Sequence, residues 1–178
     1  TNIAAHGHAD ALSLCLAIDE DWWLIDPGTY SYHSAPEWRN YFRGSSAHNT
    51  VVVNDLNQSE IGGAFLWLRK ATAKLDYSGM LEKNIQRVVG SHDGYSHLGV
   101  MHERTIDFNV NTKSINILDT LKGKSIQKIN IYFHFSPDVS AIFDSINSLW
   151  TVTNTGSPFM LSIKVDTRLS WKNICGQR

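Results

Sequence analysis

The 178-residue chain has few of the features that mark specialised classes of protein. Its two cysteines, Cys15 and Cys175, are too few for the disulfide framework of a small secreted domain. No apolar run approaches the roughly 20 residues that a bilayer span needs, so we expect no transmembrane helix. The net charge is -1, and lysine and arginine are scattered along the chain. This charge pattern argues against a nucleic-acid partner.

The composition that is present is typical of one ordinary globular domain. Hydrophobic residues make up 42% of the chain and charged residues 19%, which excludes a disordered or membranous class. The length suffices to bury a continuous core, and we predict a single domain over residues 1–178. Cys15 lies inside an apolar run, which favours a small core residue over half of a disulfide. Because Thr1 is preceded by no Met or signal-like segment, we expect a fragment of a longer protein.

Short apolar runs between turn signals predict strands along most of the chain. Ala11 to Ile18 and Trp22 to Ile25 flank a polar turn and predict a hairpin whose two faces are both buried, or nearly so. Gly79 and Gly90 are interpreted as breaks between strands. The other predicted strands are Thr50 to Val53, Phe65 to Leu75, His102 to Val110, Ser114 to Leu121, Ile129 to Phe135, Leu149 to Thr153 and Pro158 to Val165. Of these, the strand that begins at His102 is predicted to turn at Asn111-Thr112 and to pair with the strand that begins at Ser114.

The strand spacing, at roughly 8–12 residues, predicts an all-β fold, an antiparallel multi-stranded β-sandwich. An exception is Ala35 to Phe42, where Pro36 favours a helical turn.

Imidazole and carboxylate groups recur at the ends of the early apolar runs. They fall in three pieces: His6-Gly7-His8-Ala9-Asp10, Asp26-Pro27-Gly28-Thr29-Tyr30 and Ser46-Ala47-His48-Asn49-Thr50. If the first piece is extended, its His, His and Asp share one face, because side chains on a strand alternate. Left buried and unpaired, such groups cost a few kcal/mol each, so they must meet water, partners or a metal ion. One ligand from each strand, with a fourth position free, is typical of an open zinc site.

This pattern favours His8, Asp26 and His48 as the ligands of one zinc ion. Taken singly, each is also an ordinary polar residue at a strand end. We predict that His134 is a hydrogen-bonded sheet residue. The other histidines have no comparable companions: His33, His92, His97 and His102.

Residues 29–47 form a long segment rich in Tyr, Trp and Arg without a clear period, which is typical of a functional loop. Trp38 is the candidate for stacking on a sugar ring. Arg39 and Arg43 are candidates for binding an acidic polymer, with a solvated surface position as the alternative. We predict that three other tryptophans lie in the core: Trp22, Trp23 and Trp67.

At these residues the sequence resembles the heparinase II/III-like family of polysaccharide lyases. The ordered elements that match are His6 to Asp10, Asp26 to Tyr30 and Ala47 to Val53, with weaker matches at His102-Glu103-Arg104 and Tyr132 to Pro137. The likeness covers most of the chain and thins towards its C-terminal end.

The resemblance implies the C-terminal β-sandwich region of a longer enzyme whose N-terminal part is an α/α toroid. It implies that His8, Asp26 and His48 are the zinc ligands, and that the zinc organises the wall of a cleft as a structural ion. His6 matches the histidine that lines this cleft near the scissile bond. Tyr30, Tyr32 and Tyr41 all lie in the loop that could reach the cleft, and Tyr30 is favoured because it belongs to the matched motif. The implied reaction is β-elimination, in which a uronic acid loses its C5 proton and the C4 oxygen leaves.

The implied partners are an acidic polysaccharide, similar to heparan sulfate, heparin or alginate, and the toroid of the parent chain. In the family the toroid supplies most of the groups that neutralise the substrate carboxylate, so we expect the fragment alone to be inactive. Family habit implies a periplasmic or extracellular location. Two other functions fit the residues: a non-catalytic carbohydrate-binding or scaffold domain, and a cupin-like metal enzyme that uses both histidines of His6-Gly7-His8 as ligands.

Overall fold

The computed structural model describes residues 4–124, 126 and 128–164, and strands dominate this part of the chain. Strands account for 48% of the described residues and helices for 9%, which confirms the predicted all-β antiparallel sandwich. No helix in the described ranges is long and apolar enough to cross a membrane. One α-helix, α1, covers Pro36–Arg43, and short 3-10 helices cover Ser45–Ala47 and Ser96–Leu98.

The strands of the described residues are numbered here in chain order. They are β1 (Leu16–Ile18), β2 (Asp21–Leu24), β3 (Val51–Val53), β4 (Glu60–Gly63), β5 (Leu66–Arg69), β6 (Ala73–Glu82), β7 (Ile85–His92), β8 (Met101–Asn109), β9 (Ser114–Lys122), β10 (Ile129–Ile131), β11 (Val139–Asp144), β12 (Leu149–Asn154) and β13 (Met160–Lys164).

The largest sheet is the meander β6-β7-β8-β9, and a second meander joins β11, β12 and β13. The remaining strands pair two by two, β1 with β2, β3 with β10 and β4 with β5. The chain divides into two compact units. The larger unit contains Thr1–Cys15 and Leu24–His134, and the smaller contains Leu16–Trp23 and Phe135–Arg178. The single domain over residues 1–178 stays a prediction.

The core of the larger unit is built around strand β3. Val51 and Val53 are fully buried against Tyr95 and Val100, with Leu121 of β9 packed on the cluster. The Tyr95 hydroxyl lies 3.1 Å from the carbonyl oxygen of Val51, and burial raises the pKa of Tyr95 to about 12. Because β-branched residues pack well on a pleated surface, this short strand is anchored firmly. The residues just before it are therefore held in place.

The smaller unit is a simple meander with its own aromatic contact. Phe143 on β11 lies opposite Trp150 on β12, and their ring centroids are 5.0 Å apart. The backbone N–H of Ser136 donates to the carbonyl of Trp23, which ties the early hairpin to this unit. None of the predicted site residues belongs to it.

Several predicted strands are shorter in the structure. The piece from His6 to Asp10 is not extended, because the chain turns at Ala4 (φ 48°) and the Gly7 N–H donates back to the Ala4 carbonyl. The strand alternation that predicted a shared face therefore does not apply there. The predicted strand from Ile129 to Phe135 ends at Ile131, since the next backbone donors bond to residues 49 and 50 instead.

The hairpin of β8 and β9 is confirmed, with Asn109 opposite Ser114 at its turn. The helical turn after Ala35 is also confirmed, and it extends to Arg43. Strand β7 was missed because Gly90 was interpreted as a break. This glycine lies inside the strand because Leu12 packs there, 2.8 Å from where a Cβ would stand.

Two burial predictions are wrong and two are confirmed. Trp23 and Trp67 are buried, whereas Trp22 is 55% exposed. Successive strand residues point to opposite faces, so a hairpin covered on one face buries only one of two adjacent tryptophans. Cys15 is exposed rather than a core residue.

Candidate metal centre

His8, Asp26 and His48 come together in the larger unit. Each offers one ligand-type atom, and these atoms all lie within 4.8 Å of one another. His8 follows the Ala4–Gly7 turn, Asp26 comes shortly after β2, and His48 ends the 3-10 helix that precedes β3. Three segments that are distant in sequence thus meet at one point, here called the metal group. Binding of an ion by the metal group stays a prediction.

The hydrogen bonds of His48 leave the metal group short of positive charge. His48 is fully buried, and its Nε2 lies 3.1 Å from the carbonyl oxygen of Phe42. A carbonyl only accepts, so Nε2 carries the proton of a neutral ring. Nδ1 then directs its lone pair at Oδ2 of Asp26, 2.8 Å away. Two acceptors this close need a cation between them, either a second proton on the ring or a metal ion.

The pKa shifts favour the protonation states that bind metals. Burial lowers the pKa of His8, and the neighbouring His48 lowers it further, which favours a neutral imidazole. Partial burial on its own raises the pKa of Asp26, but the hydrogen bond from the Gly28 N–H outweighs it together with the interaction with His48, which donates to this carboxylate when Nδ1 carries a proton. The net pKa of Asp26 is lowered, so the carboxylate is ionised. Neutral imidazole and ionised carboxylate are the forms that zinc binds.

The spacing of the metal group also fits a small divalent ion. With zinc–ligand bonds of about 2.0–2.1 Å, tetrahedral geometry places the ligand atoms about 3.3 Å apart. The 2.8 Å between His48 Nδ1 and Asp26 Oδ2 is slightly shorter than this, and the widest separation in the group is below 4.8 Å. These separations bracket the tetrahedral spacing, and three protein ligands would leave the fourth position of such an ion free.

His6 lies outside the metal group. It is exposed, and its ring packs edge-on against Tyr32 and Phe65, with centroids 5.3 and 5.8 Å away. A cupin-like site would use both histidines of His6-Gly7-His8 as ligands. The described residues do not assemble that arrangement.

Tyr30 and Trp38 belong to an exposed aromatic surface, formed by Tyr30, Trp38, Tyr41 and Phe42. Tyr30 is 70% exposed and stacks on Phe42 at 5.5 Å, while Trp38 lies 6.0 Å from both Tyr30 and Tyr41. Tyr30 adopts a left-handed backbone (φ 63°), which is uncommon for a residue other than glycine. Such backbone strain costs about 1–3 kcal/mol and clusters at functional sites.

Arg39 and Arg43 are not surface residues, which corrects the expected solvated position. They are 1% and 0% exposed. Arg43 Nη1 donates to the carbonyls of Gly63 and Ala64 at 2.6 and 2.8 Å, and its guanidinium lies 4.1 Å from the centre of the Trp67 ring. These contacts hold the turn between β4 and β5. Contact with a substrate stays a prediction that this burial does not favour.

A second group of ionisable residues, here called the closed group, was missed. His92 and His102 lie opposite each other on β7 and β8, and His92 Nε2 is 2.9 Å from His102 Nδ1. His102 Nε2 is in turn 2.8 Å from Asp119 Oδ1. The expectation that these histidines have no companions is therefore wrong. Correct pairing of β7 with β8 is the signal that would have found them. His134 does form a hydrogen bond, from its ring to the Ser46 carbonyl, but outside a strand.

The fold and the site together define a β-sandwich protein in which two imidazoles and a carboxylate lie within 4.8 Å of one another. The family described as Heparinase II/III-like, C-terminal, matches residues 1–172, and the chain belongs to this family.

Among solved structures, a heparinase III with methylated lysines matches with a TM-score of 0.62 at 22% identity. The match covers 81% of this chain and 20% of that one. At this identity the likeness shows the fold alone, and the chain spans about a fifth of that protein's length. No curated protein matches the sequence.

Proposed function

We propose that the chain is the β-sandwich part of a polysaccharide lyase that cleaves uronic-acid-containing polysaccharide by β-elimination. The meeting of His8, Asp26 and His48 in a member of this family is the observation that carries the proposal. The proposed substrate is similar to heparan sulfate, heparin or alginate, and the proposed partner is an N-terminal toroid of the parent chain. The proposed location is the periplasm or the extracellular space, where such polymers occur.

His8, Asp26 and His48 would hold one zinc ion. When bound, the ion supplies a fixed positive charge that binds three chain segments together and balances the carboxylate of Asp26. Its role in this proposal is structural, at the wall of the substrate cleft. The support is chemical, since the Asp26 carboxylate and Nδ1 of His48 face each other at 2.8 Å, and when the ring is neutral with its proton on Nε2 both atoms are acceptors.

The proposed reaction removes a proton and a leaving group from neighbouring carbons. A base takes the C5 proton, the C–H electrons form the C4–C5 double bond, and the C4–O bond breaks. The departing oxygen keeps that electron pair and takes up a proton. His6 and Tyr30 are the candidates in this chain for moving these protons, since imidazole and phenol are suitable acids and bases and both residues are exposed.

Negative charge develops on the uronate in the transition state, so hydrogen-bond donors must face it. We propose that these donors come mainly from the toroid, and that the chain alone is inactive. Trp38 is the proposed stacking partner of a sugar ring, because its indole is half exposed and is held by neighbouring rings.

Metal analysis of the purified chain tests the zinc proposal directly. We expect one zinc per chain, lost on chelation and restored by added zinc. Absence of bound metal after dialysis against zinc, in folded protein, contradicts the proposed centre.

The activity is tested with the full-length parent protein on a panel of acidic polysaccharides. Ultraviolet absorbance of the unsaturated product is expected with at least one of them. We expect His6→Ala and Tyr30→Phe to lower kcat strongly. The matched controls His33→Ala and Tyr41→Phe remove the same groups from the neighbouring aromatic clusters and are expected to retain activity. A parent protein that yields no unsaturated product on the whole panel, with zinc present, contradicts the lyase.

The aromatic surface favours a second candidate function, a carbohydrate-binding domain without catalysis. Exposed aromatic rings offer flat faces to sugars without needing an acid or a base. Binding of polysaccharide by this chain, unchanged in His6→Ala and abolished in Trp38→Ala, together with an inactive parent, would favour this function.

A further inference from the structure

Asn49 lies where the segments of the metal group meet. It is fully buried. Its side-chain amide donates to the carbonyls of Leu14 and Ile25 at 2.8 and 3.0 Å, and its side-chain oxygen accepts from the His134 N–H at 2.5 Å. Its backbone N–H donates to the Ser13 hydroxyl at 3.0 Å. The side-chain amide of Asn49 thus uses its nitrogen as a donor twice and its oxygen as an acceptor once.

These hydrogen bonds connect the three ligand-bearing segments to one another. Asn49 directly follows His48, and its partner Ile25 directly precedes Asp26. Its partners Ser13 and Leu14 belong to the segment that runs on from His8. The bonds to Ile25, Leu14 and Ser13 span 24, 35 and 36 positions of the chain. A single side chain and its own N–H therefore join all three segments.

Arg104, on strand β8 of the four-stranded sheet, binds the main chain of Asn49. Its Nη1 donates to the carbonyl of Asn49 at 2.6 Å and to that of Leu12 at 2.8 Å. Its Nε and Nη2 donate to the two oxygens of Asp119 at 2.8 and 3.0 Å. A bidentate pair of this kind fixes the orientation of the guanidinium. The carbonyl next to His48 is therefore fixed relative to strands β8 and β9.

We propose that Asn49 is a positioning residue that sets the separation of His8, Asp26 and His48, with Arg104 supporting its main chain. This inference rests on the metal centre of the proposed function. The residue type follows from the chemistry, because a planar amide offers two donors and an acceptor at once. Aspartate has the same shape but would direct oxygens at two carbonyls. Leucine has a similar size and offers no hydrogen bond.

A cobalt titration of the chain, followed by visible absorption, tests the inference. Co²⁺ is the probe because its absorption reports both occupancy and coordination geometry. We expect Asn49→Asp to weaken Co²⁺ binding about 10–100-fold, the usual effect of losing a group that orients metal ligands, and to change the spectrum. Each variant is titrated under conditions in which circular dichroism shows that it is folded. A loss of stability alone then does not change the measured Co²⁺ affinity.

Asn154→Asp is the matched control. Asn154 is also a buried asparagine with hydrogen bonds to backbone groups, but it lies in the smaller unit, which contains none of the three ligands. We expect this variant to lower stability and to leave the Co²⁺ affinity and spectrum unchanged. If Asn49→Asp does not fold, Arg104→Lys serves instead, with a weaker affinity expected near the lower end of the same range.

The two possible failures are distinguishable. A folded wild-type chain that binds no Co²⁺ and no Zn²⁺ overturns the proposed metal centre and this inference with it. A wild-type chain that binds Co²⁺, with folded Asn49→Asp or Arg104→Lys giving the same affinity and spectrum, overturns the positioning role and leaves the metal centre standing.

Discussion

Two groups of two histidines and an aspartate lie in the larger unit, and they differ in how their protons are arranged. In the closed group the Gly94 N–H donates to His92 Nδ1, so His92 Nε2 carries the proton and donates to His102 Nδ1. His102 Nε2 then donates to Asp119. The series starts at a donor and ends at an acceptor, and every bond has its proton.

The metal group has acceptors at both ends. His48 lies between the Phe42 carbonyl and the Asp26 carboxylate, which leaves the series one proton short. The charge balance differs as well. Asp119 pairs with the guanidinium of Arg104, whereas Asp26 faces His48 in the described structure, and that ring is charged only when it takes up a second proton.

The difference teaches how to distinguish a structural cluster from a metal site made of the same residue types. A buried carboxylate with its own arginine needs no further cation, because paired and hydrogen-bonded charges are already compensated. A carboxylate that faces a ring lone pair still needs one. We expect metal to bind the second arrangement and not the first.

The largest predicted effect comes from removing the built-in cation of the closed group. Arg104→Met leaves Asp119 without its charge partner in the interior, and we expect a loss of about 3–5 kcal/mol in the free energy of unfolding. Urea denaturation measures this loss.

Arg87→Met is its control in the same sheet. The pair of Arg87 with Asp107 is also bidentate, but its side chains are 32% and 17% exposed. Water screens a pair that reaches solvent, so we expect Arg87→Met to lower the free energy of unfolding much less than Arg104→Met does. If both variants lose a similar free energy of unfolding, burial is not the reason why the Arg104–Asp119 pair stabilises the fold.

Removal of a ligand from the metal group is expected to have the next largest effect. His8→Ala should weaken zinc binding by roughly 100-fold or more, about 2.7 kcal/mol of binding free energy. The exposed His97→Ala should bind as the wild type does. Isothermal titration gives affinity and stoichiometry together, and a stoichiometry of two zinc ions per chain would break the distinction between the groups.

Acid should destabilise the fold through the closed group. Burial, with a smaller contribution from His102, lowers the pKa of His92 to about 4. The unfolded chain, with an ordinary histidine pKa near 6.5, therefore takes up a proton first as the pH falls, and stability is lost from about pH 6.5 down to about pH 4. His92 alone should account for about 1 kcal/mol between pH 7 and pH 5.5.

His92→Gln isolates this contribution. Glutamine can accept from the Gly94 N–H and donate to His102, but it does not titrate. Urea denaturation at several pH values should give a shallower acid slope for this variant. An unchanged slope would assign the acid sensitivity to other groups.

The smallest effect is expected at Cys15, which lies close to Asp26. Although Cys15 is exposed, the slight burial of its thiol raises the pKa, and the Asp26 carboxylate raises it further, so the neutral thiol is favoured. Cys15 is also absent from the atoms that converge within 4.8 Å. Cys15→Ser should leave zinc affinity within about twofold and stability within about 0.5 kcal/mol. A marked loss of zinc affinity would make the thiol a fourth ligand.

Predictions from sequence succeeded where local pattern and structure coincide. The hairpin of β8 and β9 could be predicted because both strands are regular and Asn111-Thr112 is a typical turn. The helix after Ala35 could be predicted because proline at the first helical position leaves no hydrogen bond unmade. His8, Asp26 and His48 could be selected because each stands at the end of an apolar run.

Predictions failed where contacts between distant segments override the local signal. Gly90 looks like a break but lies inside β7, because Leu12 packs against it. Arg39 and Arg43 look like surface cations, yet aromatic rings and backbone carbonyls from another hairpin hold them in the interior.

The sequence by itself determined the strand class, the candidate ligands and the likeness to a lyase family, since these depend on residue types and spacing along the chain. Only the tertiary structure decided which histidines meet which aspartate, and which of the two groups already contains its own cation. The physical reason is that strand register and packing join residues tens of positions apart. Nothing in the local sequence records that choice.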